Sequence, residues 1–419
     1  MIEAGELEKN NLYKWELLFW LWLAFFFNQA DRQVFNIVLP LIKVDLGLTD
    51  TQIGLIASIF VLCVGLCTPI AGFIGDLFSR KKVIVISLFV WSVATFFTGM
   101  SYSIIQLIFL RSIAVGGGEA FYAPSANAII CEHHTKTRAL AMSIHQTSLY
   151  IGIILSGVLG GLIADHYGWR SCFYLFGGIG IILAIILTWR IKPSKIVTHS
   201  SSFSETKNFI RDAFSILIKK PSAMLLGGSF ICLVFVNVGY LTWMPSFIHE
   251  KFNLTVTQAG FSSMFYHHAF AFIGIIFGAM LSDKLAVKSK YNRLIIQSLG
   301  LLIGAPFIFG MGQAKTPVLV YICLAGFGFF RGVYEANFVT TIFAVVEPRF
   351  RASVIGVVYL FVFTIGSLSP FLLGYFKQSF GLSDGLSALS IAYVLGGCCV
   401  LITLKWFFRK DSVLKTVDI

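Results

Sequence analysis

The stretch Arg111–Ala139, RSIAVGGGEAFYAPSANAIICEHHTKTRA, decides how the rest of the chain is read. It is mostly small or apolar and long enough to cross a bilayer, yet it carries an arginine and a glutamate in its interior. The step from Arg111 to Glu119 covers about 12 Å at ~1.5 Å per helical residue. Both charges therefore fall inside a hydrocarbon core about 30 Å thick. Ionisable groups at that depth are costly, face a bundle interior or a water cavity, and mark ion or substrate paths.

The stretch has an echo. Gly116-Gly-Gly-Glu119-Ala120, with Glu132 and Arg138-Ala139 after it, recurs as Gly332-Val-Tyr-Glu335-Ala336, with Glu347 and Arg351-Ala352. Glu335 lies 216 positions after Glu119 in a chain of 419, close to half its length. Corresponding polar interruptions in two halves are the pattern of a duplicated transporter.

Composition agrees. Hydrophobic residues make up 57% and charged residues 12%, with a mean hydropathy of +0.83; soluble domains carry about 25% charged residues. A polytopic membrane protein is implied. The polar, acidic start MIEAGELEKNNLYKWE predicts no cleavable secretory signal, leaving the first helix as the membrane address. The net charge of +12 is distributed by topology. Lys43, Arg170, Lys251, Lys315 and Lys377 fall one per short loop on one side. Arg32, Arg111, Arg331 and Lys405 fall within spans, and the other 23 of the 32 basic residues fall in the termini and alternate loops. The positive-inside rule assigns that basic side, with both termini, to the cytoplasm. No nucleic-acid partner is expected. All eight cysteines lie in or at the ends of apolar runs without CxxC spacing, predicting neither a disulfide framework nor a metal site. No nucleophile constellation appears either, so neither an enzyme nor a cofactor is expected.

Apolar runs fall at about 15–42, 51–77, 82–100, 104–131, 138–165 and 169–190, then at 222–249, 257–282, 293–312, 316–346, 352–376 and 384–408. The predicted fold is all-α: twelve transmembrane helices in two pseudo-symmetric six-helix bundles, 1–190 and 221–419. The polar segment 191–220 joins them. Phe209, Ile210, Phe214, Leu217 and Ile218 make its second part, Phe203 to Ile218, an amphipathic helix lying on the cytoplasmic face.

In the first span, Asn28, Asp31, Arg32, Phe35 and Asn36 share one helix face. Such a stripe either faces a cavity or fixes packing through a buried Asp–Arg pair; three charged or amide groups exceed what packing needs. Glu119 is the candidate proton carrier, because desolvation and a nearby arginine pull its proton affinity in opposite directions. His145-Gln146 could contact substrate, although an interior histidine with satisfied bonds is an equal reading. Asn237, Tyr240 and Trp243 follow at one-turn spacing in the seventh span. His267 and His268 are adjacent in the eighth, so at most one reaches a cavity. Arg331 and Glu335 stand at i, i+4, placed either to bind an anion or to form a structural pair.

Gly72-Phe-Ile-Gly-Asp76-Leu-Phe-Ser-Arg80-Lys81-Lys82 resembles the signature loop of the major facilitator superfamily. In that family the loop latches the switch between conformations, which implies gating roles for Gly72, Asp76, Arg80 and Lys81, and for Asp283 in the weaker copy Gly278-Ala-Met-Leu-Ser-Asp283-Lys284. Arg111-x4-Gly116-x-Gly118 resembles the superfamily's arginine motif, tied to proton coupling. Ser156-Gly157 replaces the Gly-Pro pair of its antiporters, which favours symport or uniport. Ala30-Asp31-Arg32, LGLTDTQIGLIASIF and VGGGEAFYAPSA are similar to two branches. One is the anion:cation symporters of sugar acids and other organic anions; the other is the spinster-like transporters of lysophospholipids and related amphiphiles.

The resemblance implies coupling and binding through Asp31, Arg32 and Glu119, and its arginine motif ties Arg111 to proton coupling. The residues themselves add Asn28, Asn36, Tyr122, His145, Gln146, Asn237, Tyr240, Arg331 and Glu335 as candidate contacts in a substrate cavity. The expectation is a monomeric, proton-coupled symporter of a small organic anion in the cell (inner) membrane, with an amphiphile transporter as the alternative.

Overall fold

Helix-starting and helix-ending chemistry in the sequence locates the elements closely. In the computed structural model, residues 2–192, 214–289 and 291–413 are described, and the side chains of 2–11, 72, 73, 75–77 and 352 are not. The first six helices are α1 (Ile2–Leu46), α2 (Asp50–Leu77), α3 (Arg80–Thr98), α4 (Ile104–His133), α5 (Arg138–Tyr167) and α6 (Trp169–Arg190). Next come α7 (Pro221–Phe252), α8 (Val256–Ala286), α9 (Asn292–Gln313) and α10 (Pro317–Val345). The remaining apolar chain runs as Arg351–Gly366 and Leu368–Ile402. Gly381, at φ 75° and ψ 163°, breaks the second piece, so that this stretch forms α11 (351–380) and α12 (382–411). No strand occurs among the described residues.

Local reasons for these boundaries are visible. Thr49 and Gln52 form a reciprocal capping box at the start of α2. Thr316 caps α10 ahead of Pro317 at the first helical position. Asn253, at φ 51°, ends α7 in the left-handed conformation that asparagine tolerates. The α1 helix is longer than its apolar run because its polar start, from Ile2, continues the same helical backbone. The 203–218 helix expected in the linker lies mostly outside the described residues; 214–219 is helical.

By Cα proximity the chain forms two compact units, one of Met1–Gln52, Ile59–His199 and Leu254–Phe261, the other of Ile53–Ser58, Ser200–Asn253 and Ser262–Ile419. Inside the first, α1 packs on α5, α3 on α6, and α4 on α3. Inside the second, Gly239 of α7 meets Ser369 and Leu373 of α11, Gly304 and Gly312 of α9 meet α12, and α9 packs on α10. The pairing pattern repeats with a six-helix shift, which is the sequence echo expressed as topology. Lipid tails are as apolar as leucine, so these contacts rest on close backbone approach rather than on hydrophobic driving force. At Gly332 a β-carbon would lie 2.2 Å from the Ala271 carbonyl oxygen of α8, so only glycine fits there.

Candidate functional site

In the first unit, the α1 stripe brings its charges to α4. Arg32 donates to Glu119 through Nε at 3.0 Å and Nη2 at 2.8 Å, both onto Oε2. The Glu119 side chain is 0% exposed and that of Arg32 27%. Oε1 of Glu119 is buried with no partner. Arg111, also buried, donates Nη2 to the Arg32 carbonyl oxygen at 2.9 Å, and its guanidinium stacks over Phe60 and Phe35 at 4.3 and 5.1 Å. Its Nε and Nη1 have no hydrogen-bond partner. Asp31 accepts a long bond from Thr95 at 3.4 Å on one oxygen and nothing on the other.

This arrangement differs from what an ideal helix predicts. Counting along one helix puts Arg111 on the face of Glu119, but Ile108–Val115 is a π-helical segment that shifts the register between them. π turns inside α-helices recur at functional sites. The glutamate therefore takes its cation from another helix, and Arg111 instead braces the α1 backbone. Asn28 accepts from Gln29 at 2.8 Å and Asn36 donates to Gln33 at 3.1 Å, so both belong to polar contacts within α1.

Other candidates sit elsewhere in the unit. Tyr122 donates to the Leu21 carbonyl at 2.5 Å and packs against Trp91 and Phe25 in the apolar core. His145 lies 3.5 Å from that hydroxyl and stacks on Phe25 at 4.8 Å. The pair ties α4 to α1 and α5, whereas Gln146 is exposed.

The second unit holds a different cluster. Arg331 donates Nε and Nη2 to Glu335 Oε1 at 3.0 and 2.9 Å, and Nη1 to Asn237 at 2.8 Å and to His267 Nε2 at 2.9 Å. A guanidinium only donates, so Nε2 of His267 accepts and the imidazole proton sits on Nδ1. Tyr240 donates to the Ser263 carbonyl and packs its ring 4.5 Å from that of His267. The adjacent His268 bonds the Met264 carbonyl at 2.8 Å within its own helix. Of the two histidines, only His267 joins the arginine, a choice that the sequence left open and that helical rotation decides.

Among the gating candidates, Arg80 pairs with Glu132, which belongs to the repeated motif. Asp283, 72% exposed, accepts from Arg293 at 2.7 Å. Lys81 is partly buried on the first turn of α3. The Gly72 and Asp76 side-chain positions lie outside those described. The second echo of the motif is a cap: Arg138 donates to the Cys131 carbonyl, and Arg351 to those of Phe343 and Val346, each closing the preceding helix. Among the described residues, no group of three or more histidine, cysteine or acidic side chains is placed to hold a metal.

Comparison with known proteins fits this picture. A hexuronate transporter of Bacillus subtilis is 24% identical over 93% of this chain and 93% of its own. A D-galactonate transporter of Escherichia coli is 26% identical over 88% and 90%. The fold matches that of a bacterial homologue of the human lysosomal transporter Spinster, in its inward-facing, unoccupied form. That likeness has a TM-score of 0.82 at 22% identity and covers 96% of this chain and 98% of the other. The family model for the Major Facilitator Superfamily matches residues 21–370. A twelve-helix chain with a twice-used motif and partly buried Arg–Glu pairs, matched over most of its length, is a multi-pass membrane transport protein and belongs to the Major Facilitator Superfamily.

Proposed function

We propose that this transporter moves a small organic anion, a sugar acid or other carboxylate, in symport with protons by alternating access. It would act as a monomer in the cell (inner) membrane, with both termini in the cytoplasm. The observation that carries the reading is the state of Glu119. Its fully buried carboxylate relies on Arg32 for its only ion pair among the described residues, through one oxygen. Arginine's planar fork matches a carboxylate bidentately. A substrate anion that takes Arg32 leaves Glu119 as an unpaired buried charge, and such a group takes up a proton. Anion arrival and proton uptake are thereby linked, with Asp31 and Arg111 setting the surrounding charge. Arg331, held by Asn237 and His267 and balanced by Glu335, supplies a second guanidinium for an anion. The acid sugars in the names of the hexuronate and galactonate transporters support this substrate class.

The test is proton movement into proteoliposomes loaded with a pH-sensitive dye, with sugar acids, small carboxylates and lysophospholipids added in turn. Acidification of the lumen on adding a small anion outside is expected, and Glu119→Gln should abolish proton-driven accumulation while preserving substrate exchange. A response to lysophospholipids alone would move the protein to the amphiphile reading. Uphill transport retained by Glu119→Gln would remove that residue from coupling.

A further inference from the structure

The three glycines of the founding stretch do not share one job. A β-carbon at Gly116 would lie 3.1 Å from the Phe60 carbonyl of α2, and one at Gly118 would lie 3.1 Å from Trp91 of α3, so both permit close helix contact. At Gly117 it would meet nothing within 4 Å. Packing within the unit gives no reason for a glycine there. What Gly117 does instead is line a cavity of about 480 Å³ within the first unit, formed by the end of α2, the first half of α3 and the middle of α4.

The walls of that cavity are apolar and face outward. Ile86 and Val90 of α3 and Ile113 of α4 line it, at 60%, 44% and 46% exposure. The one hydroxyl in the lining, Ser87, donates to the Ile84 carbonyl at 3.0 Å and so offers its proton to its own helix. At the α3 start stands Lys82, exposed and with no carboxylate partner among the described residues. Its neighbour Arg80 is already paired with Glu132. From Lys82 to Val90 the groove runs about 12 Å along the helix at ~1.5 Å per residue. It therefore has a cation at the polar end of the membrane span and hydrocarbon walls towards its middle.

We propose that this groove is a binding site for an anionic glycerophospholipid, with an acyl chain seated over Gly117 and the headgroup phosphate on Lys82. In a bilayer, an outward apolar groove within the hydrocarbon is filled by lipid, and charge complementarity at Lys82 selects among headgroups. One lysine near the surface is worth about 1 kcal/mol towards an anionic lipid, or about a fivefold preference. The site is separate from Glu119, whose buried carboxylate faces Arg32.

The experiment uses purified full-length protein incubated with phosphatidylglycerol or phosphatidylcholine of matched chains, with bound lipid counted by native mass spectrometry. Wild type should hold phosphatidylglycerol about fivefold better than phosphatidylcholine. Gly117→Leu, whose β-carbon meets nothing within 4 Å and whose side chain fills the groove, should lose both adducts. Lys82→Gln should keep phosphatidylcholine and lose the preference. Ile86→Trp fills the groove from the opposite wall and keeps the test decisive if Gly117→Leu does not fold. Undiminished lipid retention by a folded groove-filling variant would overturn the site. Equal retention of the two lipids by wild type would overturn the headgroup assignment.

Discussion

Glu119 shows at the residue scale why a buried pair is best tested by removing both partners. Losing Arg32 alone leaves a buried carboxylate without its hydrogen-bonded countercharge, and breaking a buried pair costs about 3–5 kcal/mol. Arg32→Met should therefore lower thermal stability in detergent steeply, while the double variant Arg32→Met/Glu119→Gln should recover most of it. Equal melting temperatures for wild type and the single variant would show that water already screens the pair. His134 gives the pH counterpart outside the membrane span. Its Nε2 donates to the Lys14 carbonyl and its Nδ1 accepts from Thr137, both at 2.9 Å. Burial first, then the nearby charges of Lys14 and His133, hold its pKa below the ordinary histidine value, against the raising effect of the Lys14 carbonyl. The unfolded chain then takes the proton first, so this contribution to stability is complete above pH of about 7 and declines as pH falls through ~6.5. A melting series from pH 7.5 to 5 should show that decline, and His134→Gln should flatten it. An unchanged slope in the variant would assign the decline to other groups. The sequence offered the charged residues themselves, because ionisable groups stand out in an apolar run. It did not offer their partners: Arg32 and Glu119 are 87 positions apart, and a π segment decides that Arg111 does not take the role.

Element packing offers a matched pair of tests on adjacent residues of α6. A β-carbon at Gly177 would sit 2.5 Å from the Phe96 amide nitrogen of α3, while at Gly178 it would meet nothing within 4 Å. Gly177→Ala forces two backbones apart and should destabilise by about 1–3 kcal/mol, the usual cost of overpacking. Gly178→Ala relieves glycine's helix penalty of about 1 kcal/mol and should be neutral or stabilising. Melting temperatures of both proteins in one detergent would decide; the reverse order would contradict the α3–α6 contact. The helices themselves were legible, because a run of some twenty apolar residues has few folds open to it in lipid. Ends marked by a cap or a punctuating residue, such as Thr49, Gly168 and Thr316, fall within a residue or two of the expected boundaries. What apolarity could not reveal is contact geometry. Gly177 and Gly178 are indistinguishable in composition, and only the neighbouring helix separates them.

The whole molecule carries its orientation in its charges. Lys43, Arg170, Lys251, Lys315 and Lys377 are the only basic residues assigned to one side, against 23 on the other. Structure gives three of the sparse set local work at the helix ends. Lys43 holds Asp50 across the α1–α2 turn at 2.8 Å, Arg170 pairs with Asp45, and Lys377 pairs with Glu250 at 2.8 Å. Among the described residues, fewer than half of the abundant set form such pairs (Arg80, Arg190, Arg293 and Arg349 do), as expected of residues retained by the inserting membrane rather than by packing. Cysteines introduced at Lys43 and Lys315, in a background lacking the eight native cysteines, should therefore react with a membrane-impermeant maleimide in intact cells. Cysteines at Lys136 and Lys288, in the alternate loops, should react only after permeabilisation. Labelling at position 136 in intact cells would invert the topology. Lys136 and Lys288 lie in turns, Lys315 in a bend and Lys43 in the last turn of α1, so all four stand at helix ends and a difference in labelling reports sidedness rather than depth.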